Sequence, residues 1–285
     1  MVKNILYIIA ICFLSGFLLD GCTNDLSGLF GSTDLNTRLK ERNSFKFLRR
    51  EAARSTGRTL SLGDEYSFIV INDTHIINED AHGLEKLKDV IDADSSIKFV
   101  VFNGDITQCG YQQDIKKIIE IADEIADSLG IPCYPVIGNH DIFFGNWIEW
   151  KKYIGSTRYR IDGDGTTLFI LDSANAYFGK DQLDWLEQEV KKAKGRVFVF
   201  SHVNLFVQNP AEIEQFTDTR ERARLISMLR NRCDAMFMGH SHQRLVREAG
   251  GVQYISIEDY RNNRAYCRVS VSETGISWEF LHMGY

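Results

Sequence analysis

An α/β fold is what this chain predicts, and three observations carry the prediction. Short runs rich in Val, Ile and Phe recur along it, helical segments separate them, and each run ends in polar residues able to bind metal. Runs this short and this apolar read as buried strands. Strands alternating with helices imply parallel pairing through right-handed crossovers.

The runs appear in order. Ser67 to Ile71 ends in Asn72-Asp73-Thr74-His75, and Ile97 to Phe102 ends in Asn103-Gly104-Asp105. Tyr134 to Ile137 ends in Gly138-Asn139-His140-Asp141, Val197 to Phe200 in Ser201-His202, and Ala235 to Met238 in Gly239-His240-Ser241-His242. Helices are predicted from Gln112 to Leu129, with Ile115, Ile118, Ile119, Ala122, Ile125, Ala126 and Leu129 on one face, and from Lys180 to Lys194. Further strands are expected at Val252 to Ile257, Arg268 to Val271 and Ile276 to Leu281. In parallel sheets the carboxyl ends of the strands share one edge, where ligands bind. The polar clusters, spread from Asp73 to His242, are therefore expected to converge.

The chain has 285 residues, 44% hydrophobic and 25% charged, enough for one large core, and residues 65–285 form the expected folded domain. A formal net charge of −6 points to no specific nucleic-acid partner. It leaves a phosphate substrate open, because the charge of a metal site outweighs the global balance locally.

Residues 1–22 read as an export signal. Lys3 precedes an apolar run from Ile5 to Leu19, short for a spanning helix, and Leu19-Asp20-Gly21-Cys22 resembles a bacterial lipobox with Asp20 in place of the usual small residue. The expectation is an exported protein anchored to the membrane through lipid on Cys22, facing the periplasm or cell exterior, with an uncleaved signal anchor as the alternative. Residues 23–64 read as a tether, basic in its second part (Arg38, Lys40, Arg42, Lys46, Arg49, Arg50, Arg54, Arg58). A solvated tether with one surface helix is the first reading there, and a basic amphipathic helix on anionic lipid the second. Cys109, Cys133, Cys233 and Cys267 show no C-x-x-C pair and are expected to be mostly small buried thiols.

Asp, Asn and His suit Zn, Mn or Fe better than a thiolate-seeking ion. Two cations side by side need a bridging carboxylate to offset their repulsion, and together they clamp the attacking and leaving oxygens of a phosphoryl displacement. Gly104, Gly138 and Gly239 each precede a candidate ligand, where a tight turn is easiest without a side chain. A single His at a strand end is ordinarily structural. Here five of the seven histidines fall in the clusters, and that joint pattern carries the metal assignment. His82 and His282 are expected to be structural or solvated. Trp147 and Trp150 have helical spacing and are expected in the core, whereas Phe143 and Phe144 are open as walls of a substrate pocket. Arg261 and Arg264 are expected in a solvated strand connection, with a phosphate contact as the alternative.

These residues carry a family resemblance. Asp73-x-His75, Gly104-Asp105, Gly138-Asn139-His140-Asp141, His202 and Gly239-His240-Ser241-His242 resemble, in order and spacing, the five motifs of calcineurin-like metallophosphoesterases. Thr167-Leu-Phe-Ile-Leu-Asp-Ser173 and Gln182-Leu-Asp-Trp-Leu-Glu187 are similar to the exported, phosphodiesterase-like branch. The resemblance implies a four-layer α/β/β/α sandwich of two mixed sheets, with the run from Val252 to Met283 completing the second sheet in antiparallel strands. It implies two divalent or trivalent metal ions (Mn, Fe or Zn), one held by Asp73, His75, Asp105 and His242 and the other by Asp105, Asn139, His202 and His240. A hydroxide bridging them would attack phosphorus, and His140 would protonate the leaving oxygen or hold the phosphate. Many members carry an acid three residues after the bridging Asp to orient that His. This chain has Gln108, so Asp141 or another carboxylate is the expected substitute. His202-Val-Asn204 lacks the Pro that commonly follows the fourth-motif His, which implies a local change of loop.

Three functions follow as expectations. The first is hydrolysis of a phosphomonoester or phosphodiester, on a small molecule or an envelope component. The second is hydrolysis of a pyrophosphate bond in a nucleotide or envelope precursor. The third is a metal-stabilised scaffold that has lost catalysis.

Overall fold

Strand β1 (Tyr66–Ile71) is buried along its whole length because it lies between two cores. Ile69 and Ile71 face one, Phe68 and Val70 the other, as the two-residue period of a strand dictates. A computed structural model of the chain describes residues 33–40, 60–206 and 215–284. The signal and lipobox-like stretch and most of the basic run lie outside them.

Two mixed sheets pack face to face. In the first, β2 (Ile97–Asn103) and β3 (Cys133–Val136) follow β1 in parallel, while β10 (Ala265–Ser272) and β11 (Gly275–His282) lie antiparallel on its other side, giving the order β11-β10-β1-β2-β3. The second contains β4 (Tyr159–Gly163), β5 (Thr166–Ile170), β6 (Arg196–Phe200), β7 (Ala235–Met238), β8 (Leu245–Ala249) and β9 (Val252–Ser256). Its order is β4-β5-β6-β7-β9-β8, with only the edge strands β4 and β8 antiparallel.

The core between the sheets centres on Phe68, stacked on Phe99 at 4.6 Å and edge-on to Phe198 at 5.0 Å and Phe237 at 5.7 Å. A second core lies under α2 (Leu87–Asp92), α3 (Gln112–Leu129) and α4 (Trp147–Tyr153). The third lies under α5 (Lys180–Val190) and α6 (Thr219–Leu229). Helix α3 buries Ile115, Ile118, Ile121, Ala122, Ile125 and Ala126 and stops at Gly130, whose φ of 71° terminates a helix at little steric cost. Ile119 and Leu129 lie at the margin of its buried face.

The four-layer α/β/β/α sandwich is therefore present, with three departures from expectation. The C-terminal strands β10 and β11 join the first sheet, not the second. The register of β10 against β1 is continuous from Tyr66 with Val271 to Val70 with Cys267, and β11 pairs with the far side of β10. Strand β9 enters the second sheet parallel to β7, not antiparallel. The segment Leu35–Leu39, here α1, is not solvated: Leu35 and Arg38 are fully buried. Trp147 and Trp150 sit in the core as expected, and Cys133, Cys233 and Cys267 are buried free thiols, with Cys109 half-buried.

Candidate metal centre

The loops after β1, β2, β3, β6 and β7 meet at one edge of the sandwich and bring Asp73, His75, Asp105, Asn139, His140, His202, His240 and His242 together. Asp73, His75 and His242 form one group able to hold a cation, and Asp105, His202 and His240 a second. His75 and Asp105 also group with His140. In each group the ligand atoms lie within 4.8 Å of one another.

Local backbone makes the convergence possible. Asp73, His75, Asp105, His240 and His242 all have φ between 45° and 67°, a conformation disfavoured for residues with a Cβ and concentrated at functional sites. Gly104 combines a φ of 91° with a close approach, since a Cβ there would run into the His202 ring. Gly138 has no such φ. Its reason is proximity alone, because a Cβ would run into the backbone and carboxylate of Asp105.

Hydrogen bonds aim each group. Asp105 Oδ1 accepts from the His140 amide at 2.9 Å, which leaves Oδ2 facing His202 Nε2 at 3.1 Å, His75 Nε2 at 3.8 Å and His140 Nε2 at 3.9 Å. Asp73 Oδ2 accepts from the His240 amide and from Asn72 Nδ2. Its Oδ1 faces His242, His202 and His75 at 3.4, 3.8 and 3.9 Å. His202 Nδ1 donates to the Asn103 carbonyl at 3.1 Å, fixing the ring with Nε2 toward the acids. Ser173 Oγ accepts from the amides of His202 and Val203.

The charges are tuned by burial and by one another. Burial drives His75 and His240 down to about 4, so both are neutral donors at neutral pH. Burial also pulls on His202 and His242, but Asp105 and Asp73 outweigh it for His202, and Asp73 for His242, and raise each to about 9. The two carboxylates are pushed up by burial and held below their ordinary range by histidines, Asp73 by His202 and His242, Asp105 by His202, His140 and His75.

The donor set fits cations. Asp73 Oδ1, both ring nitrogens of His75, His202 Nε2 and His240 Nε2 are buried without a hydrogen-bond partner, and the close approach of His202 to Asp105 lacks hydrogen-bond alignment. Buried polar atoms left unpaired in this number are rare in a native fold, and metal ligation would satisfy them.

His140 is oriented otherwise than the resemblance implies. Its Nδ1 lies 2.9 Å from the backbone carbonyl of Gln108 and 3.3 Å from the Gln108 side-chain Nε2; the nearer carbonyl can only accept, which assigns the proton to Nδ1, and Nε2 faces Asp105. Asp141 does not substitute as the orienting acid. It is fully buried and accepts from the amides of Ile106, Thr107 and Gly138 and from Thr107 Oγ1, bracing the loops that carry Asp105 and Asn139. Burial, then the charge of Asp105, pushes it up to about 6. The Gln108 side chain accepts from Arg261 Nη1 at 2.6 Å, which corrects the solvated reading of that arginine. His282 is exposed and its Nδ1 meets the Asn263 carbonyl, away from the site, and the His82 ring lies between the Asp80 carboxylate and the backbone carbonyl of His75. The sequence reading missed Ser173 as the support of His202 and Asn204, whose Nδ2 reaches Ser241 Oγ at 3.1 Å and ties the fourth cluster to the fifth. Both flank residues that it had singled out, the only signal available.

Residues 66–244 match the model of the calcineurin-like phosphoesterase family. A curated protein of Fibrobacter succinogenes, described as a probable cyclic nucleotide phosphodiesterase, is 32% identical over 146 residues, 46% of this chain and 54% of that protein. One of Colwellia psychrerythraea with a like description is 23% identical over 166 residues, covering 54% and 57%. The chain thus spans little more than half the length of the curated relatives it matches. Two solved structures share the fold. A dimetal phosphatase from Danio rerio has a TM-score of 0.56 at 14% identity, covering 77% of this chain and 99% of that one. A purple acid phosphatase from yellow lupin seeds has 0.57 at 10%, covering 76% and 51%.

Proposed function

The chain belongs to the calcineurin-like phosphoesterase family, a metal-dependent hydrolase of phosphate esters, and from that premise we propose that its substrate is a phosphodiester. The observation that carries the reading is the pair of ligand groups, Asp73/His75/His242 and Asp105/His202/His240, on the shared edge of the two sheets. The curated relatives, both described as probable cyclic nucleotide phosphodiesterases, support the diester and a cyclic nucleotide as candidate substrate.

One cation would be held by Asp73, His75, Asp105 and His242, the second by Asp105, Asn139, His202 and His240. When bound, such a pair supplies an activated water and neutralises charge on the phosphoryl oxygens. Asp105 offers Oδ2 between the groups while the His140 amide holds its Oδ1. His202 and His75 present buried nitrogens that make no hydrogen bond. His140, anchored at Nδ1 on Gln108, has Nε2 on the Asp105 side, where it would lie beside a bound phosphate. The Asp, Asn and His set accepts Mn, Fe or Zn. A donor set with every member in position argues against a scaffold that has lost catalysis.

The reading extends to export and attachment to the membrane through lipid on Cys22, supported by the apolar run from Ile5 to Leu19 and the Gly21-Cys22 that follows. The substrate would then be a small phosphodiester or an envelope component within reach of the anchor. Incorporation of labelled fatty acid, lost in Cys22→Ala, tests the anchor. Turnover of bis-p-nitrophenyl phosphate and p-nitrophenyl phosphate by the full chain, loaded with Mn or Zn, tests the chemistry. Metal-dependent hydrolysis that favours the diester and disappears in Asp105→Asn is expected. Preference for the monoester would overturn the substrate class, and inertness toward both with two metals bound would count against the mechanism.

A further inference from the structure

Phe144 has φ 56° and ψ 26°, and its ring is 60% exposed. Neither term of folding accounts for it. The left-handed backbone opposes any side chain with a Cβ and is the natural place of a glycine, as at the next residue, Gly145, with φ 77°. An exposed ring recovers little apolar burial in return. Ile148 is equally exposed at 65%, but it lies on the regular helix α4, where a single apolar side chain at the surface is unremarkable.

The position of Phe144 relates it to the metal centre. The ring of Phe143, almost fully buried, lies 4.5 Å from that of His140, and Phe144 continues from Phe143 at 6.1 Å. The two phenylalanines form an aromatic wall that starts on His140 and ends in solvent. Residues held in this sparsely populated backbone region cluster at active sites and ligand clamps.

We propose that Phe144 stacks on the base of a nucleotide whose phosphate sits at the metal centre. This inference rests on the phosphoesterase reading above and names its substrate class. A phenyl ring gains little from a phosphate or a ribose, whereas every nucleobase offers it a flat π face. From the phosphate, a nucleotide reaches outward through its sugar, as the wall reaches outward from His140.

Binding of AMP and of ribose 5-phosphate to the metal-loaded full chain, measured by calorimetry, isolates the contribution of the base. We expect AMP to bind about tenfold more tightly or better, in the range of aromatic stacking on one base. Phe144→Gly removes the ring at a backbone position suited to glycine and is expected to bring the ratio near one, with an unchanged melting curve. Phe144→Trp is expected to preserve it. A wild-type ratio near one, or a ratio that Phe144→Gly leaves intact, overturns the proposal. So does an equal loss for both compounds, which would make Phe144 a support of the His140 loop. Reduced association of Phe144→Gly with anionic phospholipid vesicles at an unaltered ratio would assign the ring to the membrane instead. Failure of the wild type to hydrolyse any ester would remove the phosphoesterase reading and leave the ratio readable, so the two failures are distinguishable.

Discussion

Arg38 and Asp172 form a bidentate ion pair with both side chains fully buried, although 134 residues separate them in sequence. Nε and Nη2 of Arg38 reach the two carboxylate oxygens at 2.8 and 2.7 Å, and Nη1 donates to the Thr33 carbonyl. Helix α1 is thereby tied to the residue two past the end of β5 and immediately before Ser173, the support of His202. Removing one partner of a buried pair leaves the other charge without compensation. Arg38→Ala is expected to cost about 3–5 kcal/mol in urea denaturation, the usual figure for such a loss. A change under about 0.5 kcal/mol would show that the pair is solvated in solution and α1 undocked.

Ser173→Ala should act on the metal rather than on the fold as a whole. The Ser173 hydroxyl accepts from two buried amides, His202 at 3.1 Å and Val203 at 3.0 Å, so its loss lets the His202 loop shift. Loss of an outer support of this kind lowers metal affinity by roughly 10–100-fold. Competition with a chelator measures it, and an unchanged affinity would mean that the Asn103 carbonyl alone orients His202.

Much of this site was legible because metal chemistry restricts the residues that hold an ion, and parallel pairing restricts where they fall. The convergence of the clusters that contain Asp73, His75, Asp105, Asn139, His202, His240 and His242 could therefore be expected from strand ends, while their division into two ligand sets came from the family resemblance. What orients His140 could not be expected in this way, since the acceptor is the backbone carbonyl of Gln108, and every residue has one. The sheet membership of β10 and β11 was equally out of reach. Pairing of Val269 with Phe68 joins residues far apart in sequence, and local alternation fits either sheet. Helix α1 was obscured by its basic surroundings, because the partner that makes Arg38 a core residue lies beyond β5.

Asp141 is expected to matter through the loops it braces. Its two oxygens accept four hydrogen bonds, from Ile106, Gly138 and twice from Thr107. Asp141→Asn keeps the shape but turns an amide NH₂ toward donors, leaving at least one buried N–H unpaired. A loss of about 1–3 kcal/mol is expected, together with weaker metal binding, because the bonds join the loops of Asp105 and Asn139. Thermal melts of the metal-free and metal-loaded protein read both effects. A variant as stable as the wild type would show that the donors find other partners.

Metal loading should release protons at neutral pH. In the metal-free protein burial lowers His202 and His242, yet Asp105 and Asp73 for the first and Asp73 for the second raise them to about 9, so both are protonated at pH 7. The proton to be displaced from His202 is on Nε2, since Nδ1 is committed to the Asn103 carbonyl. His75 and His240, lowered to about 4 by burial, are already neutral there, and the carboxylates are already ionised. The sign follows. Raised histidines favour the metal-free protein below about 9, so apparent metal affinity should climb as pH rises toward that value and level off above it. Titration calorimetry in two buffers of different ionisation enthalpy measures the release. One proton from each of the two histidines is expected at pH 7, and a heat that does not depend on the buffer would mean that neither is charged before the metal binds.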